Sequence, residues 1–415
     1  MGAILPGKNV HHLGADPEMK RKGSKGPMKI IHVVGARPNF VKIAPIIEAI
    51  RRHNRSAHRP IEGLLVHTGQ HYDEKMSKLF FDDLEIPKPD INLEVGSASH
   101  AEQTAEIMKR FEKILLDHRP THILVVGDVN STIACALVAS KLNVKIIHVE
   151  AGLRSFDRSM PEEINRILTD AISDYLFVTE KSGEDNLLKE GIPGEKIFFV
   201  GNVMIDTLLK HKEKAERSKI LDQLGLRHLT ADGPVVKDYG VLTLHRPSNV
   251  DERETFQNIL EALREVSERL PVFFPVHPRT RAKIAEFDFG RHFAPTSGID
   301  PSRGMRLIDP LGYLDFLSLM SRAKIVLTDS GGMQEEATAL GIPCVTLREN
   351  TERPVTVTHG TNIIAGVGKE RIVRCAFSAL NLSGPGPYGP AHSLPPLWDG
   401  KAAERIVEIL SRAGE

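Results

Sequence analysis

The segment KIIHVVGARPNFVK, residues 29–42, decides the fold class. A short β-branched run ends in glycine and is followed by a stretch with helical spacing, which is typical of a strand that leads into a helix. The same order returns along the chain: an apolar run, then glycine or polar residues, then a longer helical stretch. This alternation predicts parallel βαβ units and therefore an α/β fold.

The apolar runs predict two series of strands. Their residues are apolar on both faces, as expected for strands that helices cover on both sides of a sheet. The first series is Ile30–Val34, Leu64–His67, Ile123–Val126, Ile146–Val149, Tyr175–Val178 and Ile197–Val200. The second series is Gly240–Leu244, Val272–Val276, Lys324–Thr328 and Cys344–Leu347.

A charged stretch over residues 210–219 separates the two series, so we place the domain boundary within residues 206–238. Two similar α/β domains follow from this division. We expect a loose N-terminal extension, an N-terminal Rossmann-like domain, a C-terminal Rossmann-like domain and a final helical segment over residues 1–28, 29–206, 207–397 and 398–415.

Composition excludes several classes of protein. Lysine plus arginine and aspartate plus glutamate both total 54, which leaves no polycationic surface for nucleic acid. The longest apolar stretch, residues 123–140, is interrupted by Gly-Asp-Val-Asn-Ser and predicts no membrane span. Three widely spaced cysteines fit neither a disulfide framework nor a paired-cysteine metal site. We expect a cytoplasmic globular protein.

Polar residues follow several strands at the edge where parallel sheets bind ligands. The segment Ser330-Gly331-Gly332 opens a helix, and its free N–H groups are suited to phosphate oxygens. A plain turn with Ser330 as N-cap is the alternative. Arg37 and Lys42 flank a strand-to-helix turn and are suited to a diphosphate, or are solvated surface charges.

Carboxylates form a second candidate group. Asp128, Glu150 and Glu162 come from separate loops that should share one sheet edge, where they would raise one another's pKa and divide the roles of base and acid. Taken singly, each is more simply a helix cap or a structural hydrogen-bond acceptor. His245 is either a proton donor at a phosphate or an interior histidine with satisfied hydrogen bonds. Glu336 is either a ligand for ribose hydroxyls or a solvated helix residue.

No motif in the sequence requires a metal or a dinucleotide cofactor. There is no Asp-x-Asp pair, no Walker sequence and no Gly-x-Gly-x-x-Gly. His67 and His71 are four residues apart, but they straddle a strand end, where that spacing creates no shared face.

Eight motifs occur in a fixed order that resembles the non-hydrolysing UDP-N-acetylglucosamine 2-epimerase family. The resemblance covers residue 28 to the C-terminus. The motifs are GARP at 35–38, HTGQHY at 67–72, GDVNST at 127–132, HVEAGLRS at 148–155, MPEEINR at 160–166, LHR at 244–246, TDSGGMQEE at 328–336 and TERP at 351–354.

The resemblance implies a fold of the glycosyltransferase-B type, with two Rossmann-like domains and a UDP-sugar in the cleft between them. It also implies that the C-terminal domain binds UDP, that the final helix returns to the N-terminal domain, and that the protein is a homodimer. The implied reaction interconverts UDP-GlcNAc and UDP-ManNAc for cell-envelope polysaccharides. UDP is eliminated to leave 2-acetamidoglucal and then added back.

The resemblance also assigns site residues. Asp128, Glu150 and Glu162 match catalytic carboxylates, with His245 beside them. The diphosphate-contacting positions are Arg37, Lys42, His245, Ser330, Gly331 and Gly332. The positions that hold the nucleoside and phosphates are Phe316, Glu336 and Arg353. A regulatory site at Gln70 and His71 is left open, because Tyr72 stands where regulated members typically have arginine.

Departures from the family pattern leave the exact substrate open and affect the reaction type less. Ala36 and Asn39 replace the commoner threonine and glutamate of the first motif, and variants of this loop also occur among relatives that act on modified UDP-sugars such as UDP-2,3-diacetamido uronic acids. A hydrolysing 2-epimerase, a glycosyltransferase of the same fold and a catalytically silent UDP-sugar-binding module are three further hypotheses.

Overall fold

The structure of the protein is a computed structural model that describes residues 27–69, 83–230, 233–294, 303–381 and 394–413, without the side chains of Arg37 and Leu229. Gln70 and His71 lie outside the described residues, as does nearly all of the predicted N-terminal extension.

The first half of the chain forms a parallel sheet of seven strands in the order β3-β2-β1-β4-β5-β6-β7. Strand β1 pairs with both β2 and β4, so the strand order reverses there, as in a Rossmann fold. The strands are β1 Met28–Val34, β2 Ile61–His67, β3 Ile91–Asn92, β4 His122–Val126, β5 Lys145–Ala151, β6 Tyr175–Val178 and β7 Ile197–Phe199.

Helices cover both faces of this sheet. Side chains of β1 alternate between two apolar clusters: Ile30 packs in the cluster that contains Ile46 of the first helix, and Ile31 in the cluster that contains Phe111 of the second. The helices are α1 Arg37–Asn54, α2 His100–His118, α3 Asn130–Lys141, α4 Pro161–Ile172, α5 Lys181–Lys189 and α6 Val203–Ala215.

The second half repeats the same architecture with a parallel sheet of six strands in the order β12-β11-β10-β13-β14-β15. A two-stranded antiparallel hairpin of β8 and β9 precedes it. The strands are β8 Arg227–Thr230, β9 Gly233–Val236, β10 Gly240–Thr243, β11 Val272–Pro275, β12 Met305–Ile308, β13 Ile325–Thr328, β14 Cys344–Thr346 and β15 Asn362–Ile364.

The remaining helices are distributed around this second sheet, except the last. Helix α15 packs against α1 and α6 of the first half. Among the described residues, no helix is long and apolar enough to cross a membrane. The helices are α7 Ile220–Gln223, α8 Pro247–Val250, α9 Arg253–Ser267, α10 Pro278–Glu286, α11 Tyr313–Ser321, α12 Gly331–Leu340, α13 Val355–Thr358, α14 Lys369–Asn381 and α15 Ala402–Ala413.

The predicted fold class is confirmed: the protein is α/β with two Rossmann-like halves. The sequence did not indicate β3, β12, β15 or the β8–β9 hairpin. These strands are two to four residues long, too short for an apolar run to be distinguished from a loop. In α2 the apolar residues Ile107, Phe111 and Leu115 are buried, and Gln103 is buried beside them.

Asp206 fixes the start of α15. Its two carboxylate oxygens accept hydrogen bonds from the backbone N–H groups of Ala402 at 3.1 Å and Ala403 at 2.7 Å. These donors belong to the first turn of α15, where no carbonyl of the helix itself can reach them. A buried side chain of α6 therefore caps a helix almost 200 residues away, which anchors the C-terminal segment on the first half.

Replacing Asp206 with Ala should lower the free energy of unfolding by about 1–2 kcal/mol, because two helix N–H groups lose their acceptor. Urea denaturation followed by circular dichroism measures this difference. Asp206→Asn is the matched control. It keeps one acceptor oxygen, so its free energy of unfolding should fall less than that of the Ala variant. An Ala variant as stable as the wild-type protein would show that the cap contributes nothing.

Candidate active site

A cleft of about 1090 Å³ lies between the carboxyl ends of the two sheets. Both strand-order reversals, β1/β4 and β10/β13, open into it, which is where parallel sheets bind ligands. It brings together most of the predicted site residues: Lys42, Asp128, Glu150, Glu162, His245, Phe316, Ser330, Gly331, Gly332, Glu336 and Arg353. Arg37 opens α1 at its edge.

Asn39 joins the two loops of the first reversal. Its side-chain oxygen accepts hydrogen bonds from the N–H groups of Gly35 and Ala36, and its amide group donates to the carbonyl of Val126 at 3.0 Å. Gly35 must be glycine, because a Cβ there would lie 2.1 Å from Oγ of Ser131. The asparagine that departs from the commoner family motif thus has a structural role in this chain.

Glu150 has a strained backbone and a tightly held side chain. Its φ is +73°, in the left-handed region that non-glycine residues rarely adopt, and the β5–β6 register shifts around it as in a β-bulge. The residue is 4% exposed. Lys42 Nζ lies 2.5 Å from one carboxylate oxygen, and Arg353 Nη2 lies 2.9 Å from the other. Residues held in strained backbone conformations of this kind cluster at functional sites.

Asp128 is paired with Arg166, whose Nη2 lies 2.5 Å from the carboxylate. Burial alone would raise the pKa of Asp128, but the charges of Arg166, Lys42 and Arg353 outweigh burial and lower it. The expectation that the carboxylates raise one another's pKa is therefore wrong for Asp128, because cations lie between the carboxylates. Glu162 lies half-buried in the first turn of α4 and faces the same cleft.

His245 is oriented by Asp329. The Nδ1 atom of the imidazole lies 3.1 Å from one carboxylate oxygen of Asp329, and the backbone N–H groups of His245 and Arg246 donate to the other at 2.9 and 2.8 Å. Burial would raise the pKa of Asp329, but His245 and the hydrogen bonds lower it, so the carboxylate is ionised. With Nδ1 held in this way, Nε2 is the nitrogen that can reach a ligand.

At the N-terminus of α12, neighbouring side chains lie close to the helix backbone. Ser330 is the N-cap of the helix, as the alternative interpretation predicts, with extended backbone, but its side chain makes no capping bond. A Cβ on Gly331 would lie 2.4 Å from Arg353 Nη1 and 2.7 Å from Glu352 Oε1. Ser330, Gly331 and Gly332 line the cleft, so the N-terminal end of α12 and the positive end of its dipole lie where they suit an anion.

Glu336 differs electrostatically from the other carboxylates of the cleft. Burial, and then the neighbouring Glu335, raise the pKa of Glu336 to about 8, and Tyr313 donates a hydrogen bond to it at 3.4 Å. At neutral pH its carboxyl group carries a proton and can both donate to and accept from hydroxyl groups. Phe316 lies half-buried on α11 and also lines the cleft.

Arg353 joins the two halves of the molecule. Besides Glu150 on β5, its guanidinium contacts Glu352 at 2.6 Å and Glu335 of α12 at 3.0 Å. Arg348 lies 2.9 Å from the other oxygen of Glu352. The family resemblance assigns Arg353 to the nucleoside and phosphates, whereas in the structure its nitrogens bind carboxylates within a buried cluster.

Sequence reasoning missed Arg166, Glu335 and Glu352 as site residues. All three stand inside family motifs, at 160–166, 328–336 and 351–354, yet a charged residue on a helix or loop is ordinarily solvated, and its burial cannot be recognised from its neighbours in sequence. Among the described residues, no group of three or more His, Cys, Asp or Glu side chains is arranged to hold a metal ion.

Comparisons with known proteins identify what the chain is similar to. A family model described as UDP-N-acetylglucosamine 2-epimerase matches residues 53–411. The chain is 43% identical over 386 residues to the UDP-N-acetylglucosamine 2-epimerase of Methanocaldococcus jannaschii, covering 92% of this chain and 99% of that protein. It is 40% identical over 391 residues to the UDP-2,3-diacetamido-2,3-dideoxy-D-glucuronate 2-epimerase of Pseudomonas aeruginosa, covering 93% and 100%.

Solved structures agree. The crystal structure of the Methanocaldococcus jannaschii UDP-GlcNAc 2-epimerase in complex with UDP-GlcNAc and UDP matches this fold with a TM-score of 0.82 and 43% identity, over 93% of this chain and 100% of that chain. The crystal structure of the Neisseria meningitidis enzyme bound to UDP-GlcNAc matches with a TM-score of 0.79 and 31% identity, over 93% and 100%.

Gly331→Ala should destabilise the protein by about 1–3 kcal/mol, because the added methyl group would displace Arg353 and Glu352 from a close-packed site. Alanine ordinarily stabilises a helix relative to glycine, so the sign of the effect tests the contact. Gly368→Ala is the matched control, since an added Cβ there has no neighbour within 4 Å. Chemical denaturation of both variants measures the difference, and a Gly331→Ala protein as stable as the control would refute the close approach.

Proposed function

The chain belongs to the UDP-N-acetylglucosamine 2-epimerase family, and from this membership we propose that it interconverts UDP-GlcNAc and UDP-ManNAc without releasing free sugar. Its fold is the family's glycosyltransferase-B type, with two Rossmann-like domains facing across a cleft. The observation that carries the proposal is the composition of that cleft: an uncapped helix N-terminus at Gly331 for a diphosphate and three carboxylates, Asp128, Glu150 and Glu162, for proton transfer.

The reaction requires groups that stabilise the leaving diphosphate at one end of the cleft and carboxylates that transfer a proton at the other. The C2 proton of the sugar is not acidified by a neighbouring carbonyl, so its removal must be coupled to loss of UDP from C1. A carboxylate takes the proton, the C2–H electrons form the C1=C2 double bond of 2-acetamidoglucal, and UDP leaves with the C1–O electron pair. Return of UDP to C1 with delivery of a proton to the opposite face of C2 inverts that centre.

We assign the leaving diphosphate to Lys42, His245 and the N–H groups of Gly331 and Gly332, because cations and oriented N–H groups stabilise the charge that develops there. Arg37 is proposed to assist from the start of α1. Lys42 lies 2.5 Å from Glu150, so one ammonium group would be shared between the diphosphate and a catalytic carboxylate. Departure of UDP and proton transfer at C2 are thereby coupled through one charge.

The uridine half is proposed to lie against α11 and α12. The protonated carboxyl group of Glu336 is suited to the ribose hydroxyls, because it can both donate and accept hydrogen bonds. Phe316 offers an apolar ring at the same end of the cleft. Both assignments place UDP in the C-terminal domain, so the sugar would face the carboxylates of the N-terminal domain.

A neutral sugar suits the electrostatics of the cleft better than a uronic acid. Among the described residues, every lysine or arginine that lines the cleft is already paired with a carboxylate. These residues are Lys42, Arg166, Arg246, Arg279, Arg348 and Arg353. A C6 carboxylate would have to compete for one of them. UDP-2,3-diacetamido-2,3-dideoxy-D-glucuronate is the second candidate substrate, on the strength of the Pseudomonas relative.

Two further properties are proposed with this function. The described cysteines Cys135, Cys344 and Cys375 are free thiols, which suits a cytoplasmic enzyme. A homodimer would cover exposed leucines on the helical layer formed by α2, α3 and α4, where Leu116 is 56% and Leu168 is 47% exposed.

Sedimentation analysis should give twice the 45.9 kDa mass of the chain. Leu168→Glu should shift the equilibrium toward monomer, because it would bury a charge in the contact. Leu188→Glu, which changes a leucine 46% exposed on α5, is the control and should remain dimeric. A monomeric wild-type protein would refute the dimer.

Proton NMR with UDP-GlcNAc in deuterated water tests the reaction. We expect UDP-ManNAc to appear with deuterium at C2 in both epimers, because the proton taken from C2 exchanges with solvent. Asp128→Asn should lower kcat by roughly 10²-fold or more, as expected for loss of a proton-transfer or positioning group. The control is Asp238→Asn, which changes an exposed aspartate paired with Lys324.

The competing reactions give different products. Free N-acetylmannosamine and UDP would identify a hydrolysing enzyme, and turnover only with an added acceptor would identify a glycosyltransferase. If the enzyme turns over only the UDP-linked diacetamido uronic acid, that sugar is the substrate and the reaction type is unchanged. UDP binding with no turnover of either sugar would refute catalysis.

A further inference from the structure

Glu335 is a buried carboxylate for which the proposed reaction has no use. It precedes Glu336 on α12, and it is 0% exposed. One oxygen, Oε1, lies 3.0 Å from Arg353 Nε and accepts a hydrogen bond from Asn202 Nδ2 at 3.0 Å. The other oxygen, Oε2, is buried and has no hydrogen-bond partner among the described residues.

Each of the two partners of Glu335, Asn202 and Arg353, also holds another part of the structure. Asn202 is the N-cap of α6, the helix that leads from the first half of the chain toward the second, and its side-chain oxygen accepts from the N–H of Met204. Arg353 holds Glu150 through Nη2 at 2.9 Å. Glu335 therefore connects the start of the linking helix to the arginine that fixes a strained catalytic carboxylate.

We propose that Glu335 is a positioning residue for epimerisation: as a carboxylate, it orients Arg353 from behind so that Arg353 holds Glu150 in its reactive position. This inference rests on the proposed function and adds to it. Glu335 itself does not line the cleft. Glu150 and Glu352 approach the guanidinium through Nη2 and Nη1, and Glu335 approaches it through Nε, so the third contact adds to the geometric constraint on the planar group.

The surroundings of Glu335 give the proposal a pH signature. The charged groups that face it are Arg353 and Glu352 from the segment after β14, Glu150 from β5, Lys42 from α1 and Glu336 on its own helix. Burial raises the pKa of Glu335 to about 7, against the opposing charge of Arg353. Below that pH Glu335 gains a proton and holds Arg353 more weakly, so kcat should rise with pH through about 7.

Glu335→Gln is a sharp test, because it removes the charge and keeps the shape. The amide oxygen can still accept from Asn202 and lie beside Arg353 Nε, and the amide nitrogen takes the place of the oxygen that has no partner among the described residues. We expect kcat to fall about tenfold at pH 8 with KM changed less than about threefold, because the contact orients a catalytic group and not the substrate. The acid limb of the kcat profile near pH 7 should disappear.

Glu180→Gln is the matched control. Glu180 is also buried, with a pKa raised to about 7 chiefly by burial, and it lies in the same electrostatic neighbourhood, yet its side chain is bonded to Ser182 and not to Arg353. This variant should keep the acid limb and a kcat near that of wild type. If Glu335→Gln fails to fold, Glu335→Asp is the test: its carboxylate cannot reach both partners, so kcat should fall while an acid limb persists.

Several outcomes overturn the proposal. A Glu335→Gln enzyme with a wild-type pH profile, an effect confined to KM, or an equal loss of the acid limb in Glu180→Gln would each do so. The NMR signal of the Arg353 Nε–H group, assigned by its loss in Arg353→Lys, is independent of turnover. It should titrate near pH 7 in wild type and stay constant in Glu335→Gln. A protein that shows this titration without epimerising UDP-GlcNAc contradicts the proposed function alone, and a missing titration in an active enzyme contradicts this inference alone.

Discussion

The buried guanidinium of Arg353 is the contact on which the rest of the active cleft depends. It is paired at once with a carboxylate of the first sheet and with two carboxylates of the second half, and it is 5% exposed. Charges removed from water in this way cost several kcal/mol unless each finds a partner. Losing one partner leaves the others uncompensated, so the cluster fixes the two halves relative to each other at the place where chemistry is proposed.

The fold makes this cluster accessible to a substrate. The six strands of the second sheet follow the same order as the first six strands of the first sheet, and each sheet reverses that order next to its first strand, so both halves open at the carboxyl ends of their sheets. The two openings face each other across one cleft, so loops of the two halves that have different chemical roles lie close together. The first half contributes carboxylates, and the second contributes a helix N-terminus that the Ser330 side chain does not cap.

A second layer of buried polar contacts supports the carboxylates of the first half. His148 on β5 contacts the carbonyl of Gly127 through Nε2 at 2.9 Å and Asp170 of α4 through Nδ1 at 2.7 Å. Arg154 lies 2.7 Å from the same aspartate. These contacts tie the loop that precedes Asp128 to the strand that carries Glu150, so they hold the two catalytic candidates in position relative to each other.

The sequence by itself determined the α/β class, the Rossmann-like pattern and most of the cleft lining, because apolar runs report burial and polar residues that follow parallel strands must gather at one edge. Tertiary structure alone decided the electrostatics. Asp128 has a lowered pKa since Arg166 folds against it, and Glu335 is a buried partner of Arg353, although its position resembles that of a solvated helix residue. Such pairs join residues far apart in the chain, so no local pattern encodes which charge meets which.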